Sequence, residues 1–127
     1  MKAPAEIWLN KPENHDYTAA REYLSLLFDA RTVAKLVARL RRAPLRQYRA
    51  KDILRASKLP VLDKGNFFVA RDLRKVRKGS PLSPVLLIQG DAGRGFPLII
   101  ADGYHRICAS WYVDENAEIP CRVAART

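Results

Sequence analysis

PVLLIQGDAGRGFPLIIADGYHRICASWYVDENAEIPCRVA, from Pro84 to Ala124, decides the fold. Pro84 to Gln89 is an aliphatic, β-branched run of strand length, Gly90 to Gly95 is a turn, and Phe96 to Asp102 is a second strand. Gly103 and Tyr104 open a helix, HRICASWYVDE, whose Ile107, Cys108, Trp111 and Tyr112 are expected to pack inward, and Glu118 to Ala124 returns as a last strand. Toward the amino terminus the texture becomes helical. VARDLRKVRKG alternates Val69, Leu73 and Val76 with Arg71, Arg74, Lys75, Arg77 and Lys78, and Gly79 supplies the C-cap. A short helix includes Asp52 to Ala56, and LPVLD follows it, with turn-forming Lys64, Gly65 and Asn66 behind. Asp29 caps a helix to about Arg42, ended by Pro44. Asp16 is expected to cap another through about Phe28, burying a face of Tyr17, Ala20, Tyr23, Leu24, Leu27 and Phe28. Before it lies an irregular arm in which Trp8 and Leu9 dock onto the body.

Helices first, then strand, turn, strand, helix and strand describe an α/β, or α+β, domain with a small mixed sheet. Residues 1–48 are expected to form a helical extension packed on a domain spanning 49–127, because so few residues rarely fold alone. The 127 residues are 48% apolar, which suits one domain burying about two-thirds of its unfolded surface. No apolar run approaches the ~20 residues of a bilayer span, and the first residues turn polar where a signal peptide would be apolar. The expectation is a cytoplasmic protein with no membrane partner. Cys108 and Cys121 sit in apolar surroundings without a CxxC pattern, so both are read as reduced core residues, and no metal ligands are assigned.

Charge is uneven. The net value is +10, yet Arg31 to Lys78 holds 16 basic and 3 acidic residues while the rest holds 7 and 10. Such a segment either meets an anion or is a solvated surface. If this 31–78 belt binds nucleic acid, Arg39, Arg42, Arg74 and Lys75 are the candidate contacts, although aromatic residues interleaved for base stacking are missing from these helices.

The most specific chemistry lies where LIIA runs into Asp102, Gly103, Tyr104, His105 and Arg106. The first N–H groups of a helix lack intrahelical acceptors, and the helix dipole adds about half a positive charge, so an anion is stabilised there. Gly103 permits a close approach, and His105 and Arg106 add directional donors, Arg106 as a fork. The alternative is ordinary: His105 as a capping or core residue, Arg106 as partner to a carboxylate such as Asp102, and Asp102 as a cap.

From Pro81 to Ala124 the order and spacing resemble the carboxy-terminal half of the ParB/sulfiredoxin fold: a PxxVxxI strand, a glycine loop, a second strand, a G-x-H-R turn, a helix and an I-P-x-x-V strand. VARDLRKVRKGSPL is similar to the helix leading into that half, and residues 1 to about 48 match nothing in it. The resemblance implies nucleotide-phosphate binding, with ATP, ADP or CTP as candidates and Mg²⁺ as a companion. It makes Gly103, His105 and Arg106 phosphate ligands and gives Tyr104 a backbone N–H role. Tyr104 stands where sulfiredoxins carry their catalytic cysteine, so sulfinic acid reduction is not expected. The DNA-reading module of a partition clamp is not expected either.

Three functions follow as expectations. The first is a nucleotide hydrolase or phosphotransferase with Asp102 as the carboxylate beside the cradle. The second is a basic nucleic-acid-binding module, nuclease-like or without turnover. The third is an accessory protein docking a partner through its amino-terminal helices.

Overall fold

Residues 6–127 are described by a computed structural model in which the chain runs α1 (Asn14–Leu24), α2 (Ala30–Arg42), β1 (Leu45–Arg49), α3 (Ala50–Ser57), α4 (Phe67–Lys78), β2 (Val85–Ile88), β3 (Ile99–Asp102), α5 (Tyr104–Val113) and β4 (Glu118–Ala124). The strands form one mixed sheet in the order β1-β4-β2-β3. β1 runs antiparallel to β4 with Leu45 opposite Arg122, β2 runs parallel to β4 with Val85 opposite Cys121, and β2 and β3 are antiparallel with an irregularity between Leu86 and Leu87. This is the small mixed sheet with helices that the sequence predicts.

VLLI has no polar position because β2 is covered on both faces. Val85 and Leu87 join Ile53, Val69, Ile107 and Cys121 beneath α3, α4 and α5. Leu86 and Ile88 join Leu24, Leu36, Leu40 and Ala124 beneath α1 and α2. Three layers result, helices on either side of the sheet, each apolar cluster built from one set of alternating strand residues. Each fully buried leucine or isoleucine contributes about 1.5–3 kcal/mol relative to exposure. The two cysteines are free and buried, and burial pushes the Cys121 thiol up to about 12.

Helix ends follow their caps. The Asp29 carboxylate accepts from the Thr32 N–H at 2.8 Å, Asn66 accepts from Phe68 and Val69, and Gly79 closes α4 at φ +73°. α1 departs from expectation at both ends. Its N-cap is Glu13, whose N–H donates to Asp16 Oδ2 at 2.9 Å, so Asp16 stands in the first turn rather than before it. The helix stops at Leu24 instead of Phe28, and the face splits: Tyr17, Ala20 and Leu24 are buried, while Tyr23 and Leu27 are exposed. Trp8 docks as expected, bridging Leu82 with Leu9 N–H donating to Leu82 O at 2.8 Å. In α5, Ile107 and Cys108 are buried, but so are Ala109 and Ser110, whereas Trp111 and Tyr112 are half-buried.

The strand LRQYR was not expected from the sequence. It crosses position 48, so the sheet begins inside the stretch assigned to a purely helical extension.

Candidate functional site

α5 starts at a glycine with φ +107°, a conformation L side chains rarely adopt, and Gly103 offers no side chain to cap the helix. A Cβ there would lie 2.5 Å from Val85 Cγ1 and 2.9 Å from Val85 Cβ. The glycine is therefore demanded by the packing of the turn on β2 as well as by backbone angle. An open cleft of about 410 Å³ lies against this helix start, lined by Asp102, Gly103, Tyr104 and His105 together with Tyr23 and Leu59. The Tyr104 hydroxyl donates to Pro60 O at 2.6 Å and fixes that ring to the loop after α3.

His105 packs against Phe68 with ring centroids 4.9 Å apart and planes tilted by 43°, and the Arg71 guanidinium lies over the Phe68 ring, 5.0 Å from its centroid. Burial lowers the His105 pKa below 6.5, Asp72 opposes this, and Arg71 and Arg106 reinforce it, so the free imidazole is neutral at pH 7. Asp72 is itself buried on α4, and its pKa is raised by that burial against the pull of Arg106, Arg71, Lys75 and His105.

Arg106 does not face the cleft. Its Nη2 donates to Asp102 Oδ2 at 2.9 Å and to Pro84 O at 3.4 Å, and its Nη1 stands 3.8 Å from Asp16 Oδ1. The side chains of Arg106, Asp102 and Asp16 are only 17%, 15% and 2% exposed. The expected bidentate phosphate ligand is thus a tether joining α1, β3 and α5. Burial raises the Asp102 pKa in spite of Arg106, and this carboxylate, the expected catalytic group, is held by the guanidinium. Asp16 was missed because a carboxylate in a first helical turn has a sufficient local explanation in the dipole and the cap.

The basic belt is not one surface. Arg39 and Arg42 ride on α2 over one face of the sheet, and Arg74 and Lys75 ride on α4 over the other. Arg39 is moreover half-buried and donates to Ala125 O at 3.1 Å. A run of charge along the chain carries no information about which side of a sheet each helix will cover. What the sequence reading passed over is Phe67 and Phe68, both exposed, packed edge to face at 5.2 Å beside His105. Nothing local marked them: adjacent helical residues point about 100° apart, and neighbours such as Leu36 and Val37 are both buried, so FF alone does not announce an exposed pair.

No match to this chain is found among protein-family models, curated proteins or solved structures. Among the described residues no three His, Cys, Asp or Glu side chains stand together as a metal site, and no helix is long and apolar enough to cross a membrane.

Proposed function

We propose that this chain is a single-domain relative of the ParB/sulfiredoxin fold that binds a nucleoside di- or triphosphate, a phosphate resting on the start of α5. The observation that carries the reading is a glycine-opened helix start, without a side-chain cap, lining an open cleft. The order strand, turn, strand, helix, strand over Val85–Ala124 supports the resemblance on which the nucleotide rests. Backbone N–H groups of Tyr104, His105 and Arg106 are the anion donors, and the His105 side chain adds a fourth once protonated. The Arg106, Asp102 and Asp16 side chains hold the turn in place. Phe67 and Phe68 offer an exposed aromatic face beside His105 for a base. The role is binding rather than turnover, since Asp102 would have to release Arg106 before acting as a base. Any Mg²⁺ would arrive with the phosphates.

Thermal unfolding with ATP, ADP, CTP and GTP, each with and without Mg²⁺, and with duplex DNA, tests this. One nucleotide at 100 times its Kd should stabilise the fold by about 2.7 kcal/mol. His105→Ala should weaken binding by about 1.5–3 kcal/mol, the worth of a hydrogen bond to a charged group. The bound phosphate favours the charged imidazole, so affinity is greatest below the pKa of free His105, which lies under 6.5, and declines as pH rises through the higher pKa of the complex. Stabilisation by duplex DNA alone would transfer the function to nucleic acid, and no shift with any nucleotide would end the proposal.

A further inference from the structure

The two edges of the sheet are unlike. The β1 edge carries Arg46 and Arg49, charges of the kind that discourage another strand from pairing. The β3 edge reads Ile99, Ile100, Ala101 and Asp102, and its one charge is taken up by Arg106. Among the described residues β3 has a strand neighbour only on the β2 side, and its outer N–H and C=O groups have no backbone partner, although Ile100 and Ala101 are buried and Leu98 N–H, just before the strand, donates to Ala56 O at 3.0 Å.

Along this open edge lie two clefts of about 470 and 410 Å³, continuous through Tyr23, Leu59 and Ile100, which line both. Four of the nine large apolar side chains exposed among the described residues, Tyr23, Leu27, Leu59 and Phe96, line them. Their placement is two-sided: Tyr23 and Leu27 come from α1 and the turn after it, above one face of the sheet, and Leu59 comes from the loop that leaves α3, the helix below the other. A strand laid beside β3 would send alternate side chains to the two walls. The far end of the groove is basic: Arg126 lines it, 4.8 Å from the Phe96 ring centroid and donating to Pro97 O, and Arg94 stands 5.8 Å from the same centroid in the adjoining cleft, where Asp91 is the one acidic side chain against the two guanidiniums.

From the open edge, the two apolar walls and the basic end together, we infer that β3 captures an extended segment of an acidic partner protein, apolar at alternate residues and carrying carboxylates toward Arg94 and Arg126. A second copy of this chain is the less suitable occupant, because two molecules each of net charge +10 repel, whereas an acidic partner is drawn in. The inference shares the 410 Å³ cleft with the proposed phosphate site but does not depend on nucleotide binding, and it is tested without nucleotide.

Panning the whole chain against a random dodecapeptide library should select sequences with apolar residues at alternate positions and Asp or Glu clustered toward one end. The best peptide, added to the chain, should slow amide exchange at Ile99–Asp102 at least tenfold. Leu59→Asp, an exposed change checked for folding by circular dichroism, should weaken that peptide at least tenfold. Arg126→Glu should turn the selected flanks from acidic to basic. Selected peptides without alternation or with basic flanks, unchanged exchange at β3, or binding indifferent to Leu59→Asp would each overturn the proposal. So would a concentration-dependent dimer in sedimentation that Leu59→Asp dissociates, which would give the edge to a second copy instead.

Discussion

Arg106→Met should lower the free energy of unfolding at pH 7 by about 3–5 kcal/mol, since removing one member of a buried ion cluster leaves the others uncompensated. Asp16 and Asp102 would then face each other with neither a guanidinium between them nor ready access to water. Asp102 already has a raised pKa, and without Arg106 it takes up a proton more readily. A folded-state pKa above the unfolded one makes its contribution largest below the unfolded value, near 3.8, and removes it as pH rises through the folded value. The deficit of the variant should therefore shrink as pH falls from 7 toward 4. Urea unfolding across that range is the measurement. Arg106→Lys, which keeps the charge without the fork, should fall between the two. A methionine variant as stable as the parent, with nucleotide affinity reduced at least tenfold, would return the guanidinium to the role of phosphate ligand.

Gly103→Ala carries the other large effect. Left-handed backbone costs a non-glycine residue about 1–2 kcal/mol, and forcing a methyl into packed surroundings adds about 1–3 kcal/mol. The new Cβ meets Val85 at 2.5 Å and Arg106 Nη2 at 3.0 Å. A total loss of about 2–5 kcal/mol is expected on those two counts. Gly95→Ala is the matched control: φ is +79°, and nothing stands within 4 Å of an added Cβ, so only the backbone cost of about 1–2 kcal/mol applies. Equal losses from the two substitutions, measured by urea unfolding, would mean that the contact with Val85 does not constrain the turn.

The elements legible in the sequence are those whose chemistry is local. Asp29, Asn66 and Gly79 end their helices by bonds made within a few residues, and VLLI announces a strand buried on both faces by lacking any polar residue. LRQYR announces nothing: it is an edge strand with four exposed positions, held by pairing with residues 118–122, far along the chain. The premature stop of α1 after Leu24 was hidden for a related reason, because Leu27 and Phe28 keep the helical spacing without the helix. At the site, the glycine, the helix start and the neighbouring His105 were legible from one strand-to-helix junction. The fate of Arg106 was not, since its second carboxylate comes from α1, ninety residues earlier, and a fork that suits phosphate suits carboxylate equally. The basic belt dissolved once the helices took opposite sides of the sheet.

The place of β4 between β1 and β2 has a consequence for how the molecule comes into being. On the ribosome, at about 5–20 residues per second, roughly 3–14 s pass between the appearance of Arg49 and that of Glu118. Until residues 118–124 appear, β1 has no strand to pair with, β2 and β3 can form only an isolated hairpin of marginal stability, and the apolar faces of α1 and α2 have at most that hairpin to cover. Folding cannot proceed from the first residue onward. It waits for residues 118–124, and a ribosome that stalls before them leaves the nascent chain to whatever chaperone will shield two uncovered helices.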